Sequence, residues 1–517
     1  MPLTRTGARL PIAGLDTSKP AEYIAGQNSP DCDNVDVVQD VLQSRKGTNI
    51  MGAVIASGAN LSILNGMEFQ IGELYLNVRV GTTIVEKWNS IIEGWDSITG
   101  VGDELTATDA SSVSLATPLL SGVPILTFTN GVDPIQKWTG TGNHADLGGT
   151  PPIVKFIANF GSYLMYANVV DDGGGDTYQR RVGWADTGDP EEWDTVTTSA
   201  GNQLLVDGGD ITGMAQYGNY ISVHKKDLIY LGYETGRAGT FRFDAKYTNG
   251  AIANNTIKML PNGLLVYLAS DGIRAFNGAT SAWIDTPVNE QIKRTLNVDS
   301  AYKAFAIVNQ ELNEYWVAVP IGEQSSPSTI YRFNYEDSTI LKSSTPYALR
   351  SGWGFANSEN VTWDDLEGTW DEQTLAWDEF SSANLIEVPT LSDEDGKTYK
   401  TTGTTNNDNG TAINNTWTSK EYTAENEGQM SRWKMMEIWA KGNTIKLEYS
   451  IDKGDVWVEV DSYSLLDTYP LDSAPLVAYF DVVATQIRFR FSNNVINETF
   501  TLKQFIIYHT PREARLN

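Results

Sequence analysis

The sequence is poor in the residues that build cross-links and metal sites. Its 517 residues include one cysteine, Cys32, and three histidines, His144, His224 and His509. A single thiol cannot form an intramolecular disulfide or a cysteine-based zinc cluster. Three scattered histidines nearly exclude a multi-histidine site within one subunit. We therefore expect no metal ligands and no cofactor.

Long apolar runs are also missing. No stretch approaches the ~18 consecutive apolar residues of a membrane-spanning helix. The opening residues, MPLTRTGARLPIAGLDTSKP, lack the apolar core of a secretory signal peptide. We expect a soluble protein that is made in a cytoplasm.

Positive charge is scarce, with 37 lysines and arginines against 65 acidic residues and a net charge of −28. A groove that holds nucleic acid by neutralising its phosphates should be basic, and the chain as a whole is the opposite. The acidity has two explanations. It keeps a large protein soluble through mutual repulsion, or it lines a passage through which DNA slides without sticking.

What the sequence does contain is β-sheet signal. Aromatic residues reach 10% and there are 46 glycines. Paired β-rich runs joined by short polar turns occur at 72–90, 124–140, 156–169, 214–233, 264–278 and 304–320. They recur about every 40 to 60 residues, near the period of a β-propeller blade. Stacked β-sandwiches would also give regular hairpins, and we favour the propeller.

The chain divides into three parts on this pattern. Residues 1–48 are proline-rich and predict an extended N-terminal arm, residues 49–385 a β-propeller-like domain with one short helix near 287–297, and residues 386–517 a C-terminal antiparallel β-sandwich. In the last part, Ile487, Phe489 and Phe491 alternate with Arg488 and Arg490, which predicts a strand with one buried face. The predicted fold class is all-β.

One segment resembles a motif of known propellers. SIDKGDVW, residues 450–457, is similar to the Asp-box pattern S-x-D-x-G-x-T-W, with Val456 at the threonine position. Asp452 can cap the turn, Gly454 takes the left-handed position and Trp457 packs behind it. We interpret the segment as a hairpin turn, although glycosidases also carry such boxes.

The glycine run in VVDDGGGDTYQRR, residues 169–181, is a second candidate site. No lysine and serine or threonine follow as a phosphate-binding loop requires. Asp171, Asp172 and Asp176 could bind calcium, but the EF-hand spacing is absent. A flexible loop tip is the favoured interpretation. His224 lies in a β-rich run, which favours a structural role.

A local repeat places tryptophan before aspartate three times. Trp363, Trp370 and Trp377 lie at seven-residue spacing between residues 363 and 380. The pattern is typical of tight turns whose rings fill a domain junction, or of an aromatic ligand platform, and we favour the turns because exposed tryptophans are sticky. No nucleophile, acid pair or arginine cluster can be singled out, so we expect a non-enzymatic protein without catalytic residues.

Several segments resemble the tail tubular or nozzle proteins of short-tailed bacteriophages. Residues 14–48 are similar to that family's opening phrase, SPDAxNVDVxxGxLxxRxG. GWADTGDPEEWD at 183–194 resembles its W-S-D-x-G-D-P-x-x-W. Residues 221–233 and 265–278 resemble the propeller strands that follow, the latter with a D-G-I-x-x-F-x-G turn. Cys32 departs from the family's usual alanine, and the C-terminal sandwich matches only in kind.

The resemblance implies a virion protein without catalytic activity. It implies a homohexameric ring in the tail that extends the DNA-ejection channel below the portal and adaptor and docks fibres, with double-stranded DNA passing through without specific contacts. The alternative is a propeller-containing adhesin that binds a host cell-surface glycan. We further expect the arm to contact neighbouring subunits, so that deleting residues 1–47 leaves a folded monomer that forms no rings.

Overall fold

Antiparallel strands make up almost all the regular structure. The computed structural model describes residues 4–6, 12–53, 62–72, 74–237, 239–356, 387–401, 403–423, 429–465 and 475–511. These residues contain one α-helix, α1 (Asn289–Thr295), and two short 3₁₀ helices, Asn254–Thr256 and Val298–Lys303. None of their helices is long and apolar enough to cross a membrane. The predicted all-β class is confirmed, and α1 lies where the sequence predicted a helix.

The N-terminal segment is extended and carries five short strands. They are β1 (Thr4–Thr6), β2 (Cys32–Asp33), β3 (Val35–Val38), β4 (Val41–Ser44) and β5 (Thr48–Ile50). Each of them pairs with the C-terminal part of the chain or with a strand that does. The segment is therefore extended, as predicted, and its strands belong to three sheets of the folded protein.

Six four-stranded antiparallel sheets follow in chain order, and we name them blades one to six. Blade one consists of β6 (Ile63–Ile71), β7 (Leu74–Gly81), β8 (Val85–Asn89) and β9 (Gly94–Ser97). Blade two consists of β10 (Ser114–Ala116), β13 (Leu126–Thr129), β14 (Gln136–Trp138) and β15 (Ala145–Asp146), with a small hairpin of β11 (Leu119–Leu120) and β12 (Val123–Pro124). Blade three consists of β16 (Ile153–Phe160), β17 (Tyr163–Asp171), β18 (Tyr178–Trp184) and β19 (Gly201–Leu204).

Blades four to six repeat the arrangement. They consist of β20 (Ile211–Tyr217), β21 (Tyr220–Lys225), β22 (Leu228–Glu234) and β23 (Phe241–Lys246); β24 (Lys258–Met259), β25 (Leu265–Ala269), β26 (Gly272–Phe276) and β27 (Ser281–Trp283); and β28 (Phe305–Asn309), β29 (Glu314–Val319), β30 (Thr329–Asn334) and β31 (Ile340–Ser344). All five residues of β25 are buried because neighbouring blades cover both faces of the strand.

A seventh blade closes the ring. It contains β32 (Leu349–Ala356), β33 (Glu387–Asp393) and β34 (Thr398–Thr401), followed by the N-terminal β5, which pairs with β34 in antiparallel register. Two short strands, β35 (Asn407–Asp408) and β36 (Thr411–Ala412), extend this sheet. The innermost strand β32 contacts β28 on one side and β6 on the other, so the described residues form a seven-bladed β-propeller.

Two six-stranded sheets form the C-terminal β-sandwich. Its remaining strands are β37 (Asn415–Thr418), β38 (Tyr422–Thr423), β39 (Ser431–Gly442), β40 (Thr444–Ser450), β41 (Val458–Ser464), β42 (Leu476–Ala484), β43 (Gln486–Asn493) and β44 (Phe500–Pro511). One sheet has the order β3-β4-β44-β39-β42 with β1 beside β44, and the other the order β2-β37-β43-β40-β41 with β38 beside β43.

The predicted alternation along β43 is confirmed. Ile487, Phe489 and Phe491 are fully buried between the two sheets. Arg488 and Arg490 point to the opposite face and form ion pairs there. Because of this alternation, one face of β43 contributes to the core of the sandwich.

Strand pairing divides the chain differently from the predicted boundaries. Residues 387–401 are predicted to belong to the sandwich, but β33 pairs with β32 of the seventh blade and β34 pairs with β33. The sandwich also takes in β1 to β4 of the predicted arm. A sequence shows where strands lie, but not which distant strands they pair with. The tryptophan repeat at 363–380 lies outside the described residues.

Candidate functional site

A cavity opens at one end of the propeller axis, where the inner strands of the blades begin. Its volume is about 610 Å³, and segments just before or at the start of β10, β16, β20 and β24 line it. Polar side chains around it come from blades two and three and from the segments before blades four and six: Asn130, Lys155, Asn168, Gln179, Asp210 and Tyr302. The mouth of a propeller is therefore the first candidate for a binding site in this fold.

Behind this mouth the axis is lined by amide side chains that join neighbouring blades. A second cavity of about 280 Å³ lies between the inner strands. Asn65 donates through Nδ2 to the carbonyl of Val113 at 3.0 Å, and Asn254 accepts from the backbone N–H of Met214 at 3.0 Å. These amides hold the ring together, because each satisfies a backbone group of an adjacent blade.

The axis is also closed by a contact across it. Nδ2 of Asn65, in blade one, lies 3.4 Å from Oδ1 of Asn255, which precedes blade five. Two side chains that meet across the axis leave no passage for a polymer as wide as duplex DNA. If DNA passes this protein, it passes outside the propeller.

Lys258 places an amine in this axial lining. Burial lowers the pKa of its ammonium group, and the negative charge of Glu387 raises it in part. The lysine lines the inner cavity, where burial disfavours its charged form.

A charged cluster beside the mouth joins the last blades to the first. Lys303 forms ion pairs with Asp109 and with Glu394, the latter at 2.9 Å. Arg350 donates to the carbonyl of Asp109 at 3.2 Å. Burial alone would raise the pKa of Asp109, but the hydrogen bonds from Lys303 and Ser62 outweigh it and the pKa is lowered. Both carboxylates of the cluster have a cationic partner, so we interpret the cluster as a structural contact that closes the ring of blades.

The residues of the family-like phrase at 14–48 lie at the joint between the sandwich and the last two blades. Arg45 pairs with Asp408 through Nη1–Oδ1 at 3.0 Å and Nη2–Oδ2 at 2.5 Å, and donates through Nε to Asn34 at 2.7 Å. Asn34 adopts a left-handed φ of 58° and accepts from the backbone of Ser344. The sequence pointed to Asn34 and Arg45, but it gave no signal for Asp408.

The glycine at position 47 of the same phrase is required for steric reasons. A Cβ atom at this position would overlap the backbone of Asn407. Asp31 pairs with Lys342 of blade six at 3.0 Å, and Ser29 donates to the carbonyl of Thr418 at 2.7 Å. The phrase therefore describes how the N-terminal segment is held between propeller and sandwich.

The glycine loop between β17 and β18 uses its own carboxylates. Oδ1 of Asp171 accepts from the backbone N–H groups of Gly173 and Gly175, and Oδ1 of Asp172 from those of Gly174 and Asp176. These bonds shape the turn. In the described part of the chain no group of three His, Cys, Asp or Glu side chains is placed to hold a metal ion.

The Asp-box segment is a hairpin turn, which confirms its interpretation. It joins β40 to β41, which pair in antiparallel register. Asp452 accepts from the hydroxyl of Ser450 and from the backbone of Val456, while Gly454 takes a φ of 97°. Trp457 lies under the guanidinium of Arg490, 4.4 Å from its ring centroid.

The three histidines lie in separate places. His144 contacts Gln136 and Thr99 in blades two and one, and burial lowers its pKa. His509 stacks on Trp433 in the sandwich. His224 is fully buried in blade four, where its Nδ1 accepts from the backbone of Ala251 at 3.2 Å.

Burial of His224 makes an acid-sensitive point in the fold. Burial lowers its pKa from 6.5 to about 3. Because the unfolded chain binds this proton at a higher pH, stability is lost as pH falls below 6.5, by about 2 kcal/mol at pH 5. The variant His224→Gln keeps a hydrogen-bond acceptor but does not titrate. We expect its free energy of unfolding to fall by about 2 kcal/mol less than that of the wild type between pH 7 and pH 5.

Urea unfolding at both pH values measures this difference. The comparison must be between variant and wild type, because burial also raises the pKa of Asp285 to about 6 and acts in the opposite direction. Equal pH dependence of the two proteins would show that His224 does not titrate as its burial requires.

Comparison with known proteins adds fold likeness only. No protein-family model and no curated protein matches the chain. Among solved structures, a chain of the mitotic checkpoint complex is 11% identical, with 69% of this chain and 93% of that chain covered at a TM-score of 0.40. BamB from Moraxella catarrhalis is 12% identical, with 66% of this chain and 98% of that chain covered at a TM-score of 0.32. The Neurospora crassa Pan2 WD40 domain is 9% identical, with 75% of this chain and 94% of that chain covered at a TM-score of 0.27. Likenesses at these identities say nothing about what the chain binds.

Proposed function

We propose that this chain is a structural subunit of a bacteriophage tail, in the nozzle or hub ring that extends the DNA-ejection channel below the portal and adaptor and docks fibres. The observation that carries the proposal is the family-like phrase at 14–48. Asn34, Arg45 and Gly47 of this phrase all act at one joint, between propeller and sandwich. A resemblance whose residues share one structural task is a stronger argument than the same letters scattered over a surface.

The contact between Asn65 and Asn255 shapes the proposal. Since it closes the propeller axis, the DNA passage of a ring lies between subunits and is lined by their outer surfaces. The net charge of −28 suits such a passage, because acidic walls repel phosphates and let DNA slide without binding. The propeller itself then serves as scaffold and wall.

The native mass of the purified protein, followed by negative-stain imaging at high concentration, tests this function. We expect a ring, hexameric by the resemblance, whose central hole is wide enough for duplex DNA. A closed ring without a hole, or a particle that never appears in purified virions, would contradict the nozzle assignment.

The glycan-binding adhesin is the second candidate, and the cavity at the propeller mouth favours it. Tyr302 and Asp210 place an aromatic ring and a carboxylate at the same opening of about 610 Å³. Sugars are bound by such combinations of apolar faces and polar groups. A screen of the protein on immobilised glycans, with Tyr302→Ala as the matched control, decides whether this opening is a sugar site.

A further inference from the structure

The sandwich has one edge against the propeller, and at its other edge the described strands β41 and β42 lie against each other. On the first side, β2 and β3 contact β31, and the backbone of Asn34 donates to the carbonyl of Lys342 at 3.0 Å. On the other side, the described strand orders end at β41 and β42. Strand edges are sites where another chain can pair, and proteins normally protect them with charge or proline.

The outer face of the sheet that ends in β42 carries a row of tyrosine and methionine side chains between charged ones. Tyr479 is 74% exposed and lies opposite Met435, which in turn lies opposite Tyr508. Val477 and Trp439 flank this row on the same outward side. We call this surface, the outward side chains of β39, β42 and β44, the apolar face.

Both outer faces carry charge. On the apolar face Arg432 pairs with Asp481, and Glu437 accepts a hydrogen bond from the hydroxyl of Tyr508. On the other sheet the ion pairs form a connected series. Lys446 pairs with Glu448 at 3.1 Å and with Glu459 at 3.0 Å. Glu448 also pairs with Arg490 at 2.7 Å. This ladder of alternating charges is suited to water, whereas a row of tyrosine and methionine is what protein interfaces use at their centres.

The charge of the apolar face indicates what covers it. Its three strands carry four outward cations, Arg432, Lys434, Lys441 and Lys503, and two outward acids, Glu437 and Asp481, which gives 4 − 2 = +2. The whole chain has a net charge of −28, so the remainder carries −28 − 2 = −30. The face is therefore a weakly basic island on a strongly acidic molecule.

We propose that the apolar face binds a second copy of this chain, through an acidic surface of that copy. Face-to-face pairing of two such faces would place +2 against +2, so charge favours a head-to-tail contact. Head-to-tail contacts generate closed rings when the rotation closes. The inference rests on the proposed function, because it names the surface through which subunits of the ring contact each other. The contact itself requires neither DNA nor a portal.

A matched pair of variants tests the proposal. Tyr479→Glu puts a negative charge at the centre of the row, and Val458→Glu makes the same change in charge on β41, where the side chain is 45% exposed on the other sheet. We expect Tyr479→Glu to raise the concentration of half-assembly by about 30-fold, as for loss of an interface hot spot, and Val458→Glu to leave it unchanged. Sedimentation velocity over a range of concentrations, with negative-stain imaging, measures this.

The possible results separate this inference from the proposed function. Rings that are unaffected by Tyr479→Glu overturn the inference and leave the nozzle intact. Assemblies without a central hole that Tyr479→Glu dissolves support the inference and contradict the nozzle. A wild-type chain that stays monomeric at every concentration overturns the inference. If Tyr479→Glu lowers the melting temperature, the milder Tyr479→Ser replaces it with the same expected direction.

Discussion

A chain that lacks residues 1–47 is expected to lose its folded sandwich and to be recovered as aggregate or as a protease-sensitive species. Cys32, Val35 and Leu42 from this segment are fully buried in the core that sandwich and propeller share. Each such side chain contributes about 1.5–3 kcal/mol on burial. Their sum is comparable with the 5–15 kcal/mol by which proteins are typically stable, at about that order of magnitude.

Lost strand pairing adds to lost burial. The deletion removes β2, which pairs with β37, and β4, which pairs with β44. It also removes Arg45 and so leaves Asp408 buried without its cation. Backbone groups and a charge that lose their partners inside a protein are costly, so the truncated sandwich cannot simply persist with a gap.

A shorter deletion provides the control. Removal of residues 1–11 takes away only β1 of the described strands and keeps β2 to β5, so we expect a soluble protein with a wild-type melting temperature. Soluble yield, circular dichroism and limited proteolysis distinguish the two truncations. Cooperative melting of the chain lacking residues 1–47, as a stable monomer, would restore the expectation drawn from the sequence.

The sequence alone led to that opposite expectation for a physical reason. Proline spacing shows that residues 1–48 are extended, because proline excludes helix. It does not show what an extended chain pairs with, since a strand's partner can lie 385 residues away, as Cys32 and Trp417 do. The same limit placed residues 387–401 with the sandwich, although β33 pairs with β32 and β34 with β33 in the seventh blade.

Local patterns were predictable where local physics decides them. The alternation of Ile487, Phe489 and Phe491 with arginines specified a strand and its buried face. The segment 450–457 was recognisable as a turn because Asp452 and Gly454 satisfy it within a few residues. The repeat of hairpins predicted blades. The number of blades required the strand pairing, because β5 completes the seventh blade from the other end of the chain.

The apolar face shows the corresponding limit for surfaces. Tyr479, Met435 and Tyr508 lie on three strands separated by as many as 73 residues, and no sequence pattern joins them. The cavity at the propeller mouth likewise draws on side chains from several blades. Sites of this kind become visible only when the order of strands is known.

Replacement of Arg45 by methionine is expected to destabilise the protein by about 3–5 kcal/mol, because it leaves a buried carboxylate without its partner. The side chains of Arg45 and Asp408 are 9% and 2% exposed, and Thr48 is the remaining donor to Asp408 at 3.2 Å. The double variant Arg45→Met, Asp408→Asn should recover part of the lost stability, since the asparagine amide leaves no unpaired charge in the interior. Urea unfolding followed by tryptophan fluorescence measures both.

An exposed ion pair is the matched control for this change. Arg242 and Asp244 are 66% and 37% exposed, and Arg242→Met should leave stability almost unchanged, because solvent screens an exposed pair. If Arg45→Met costs as little as Arg242→Met, the joint is not held by this pair. If the loss is large and the double variant recovers stability, the cost lies in the unpaired charge of Asp408, and the family-like phrase at 14–48 is a stability element of the joint between propeller and sandwich.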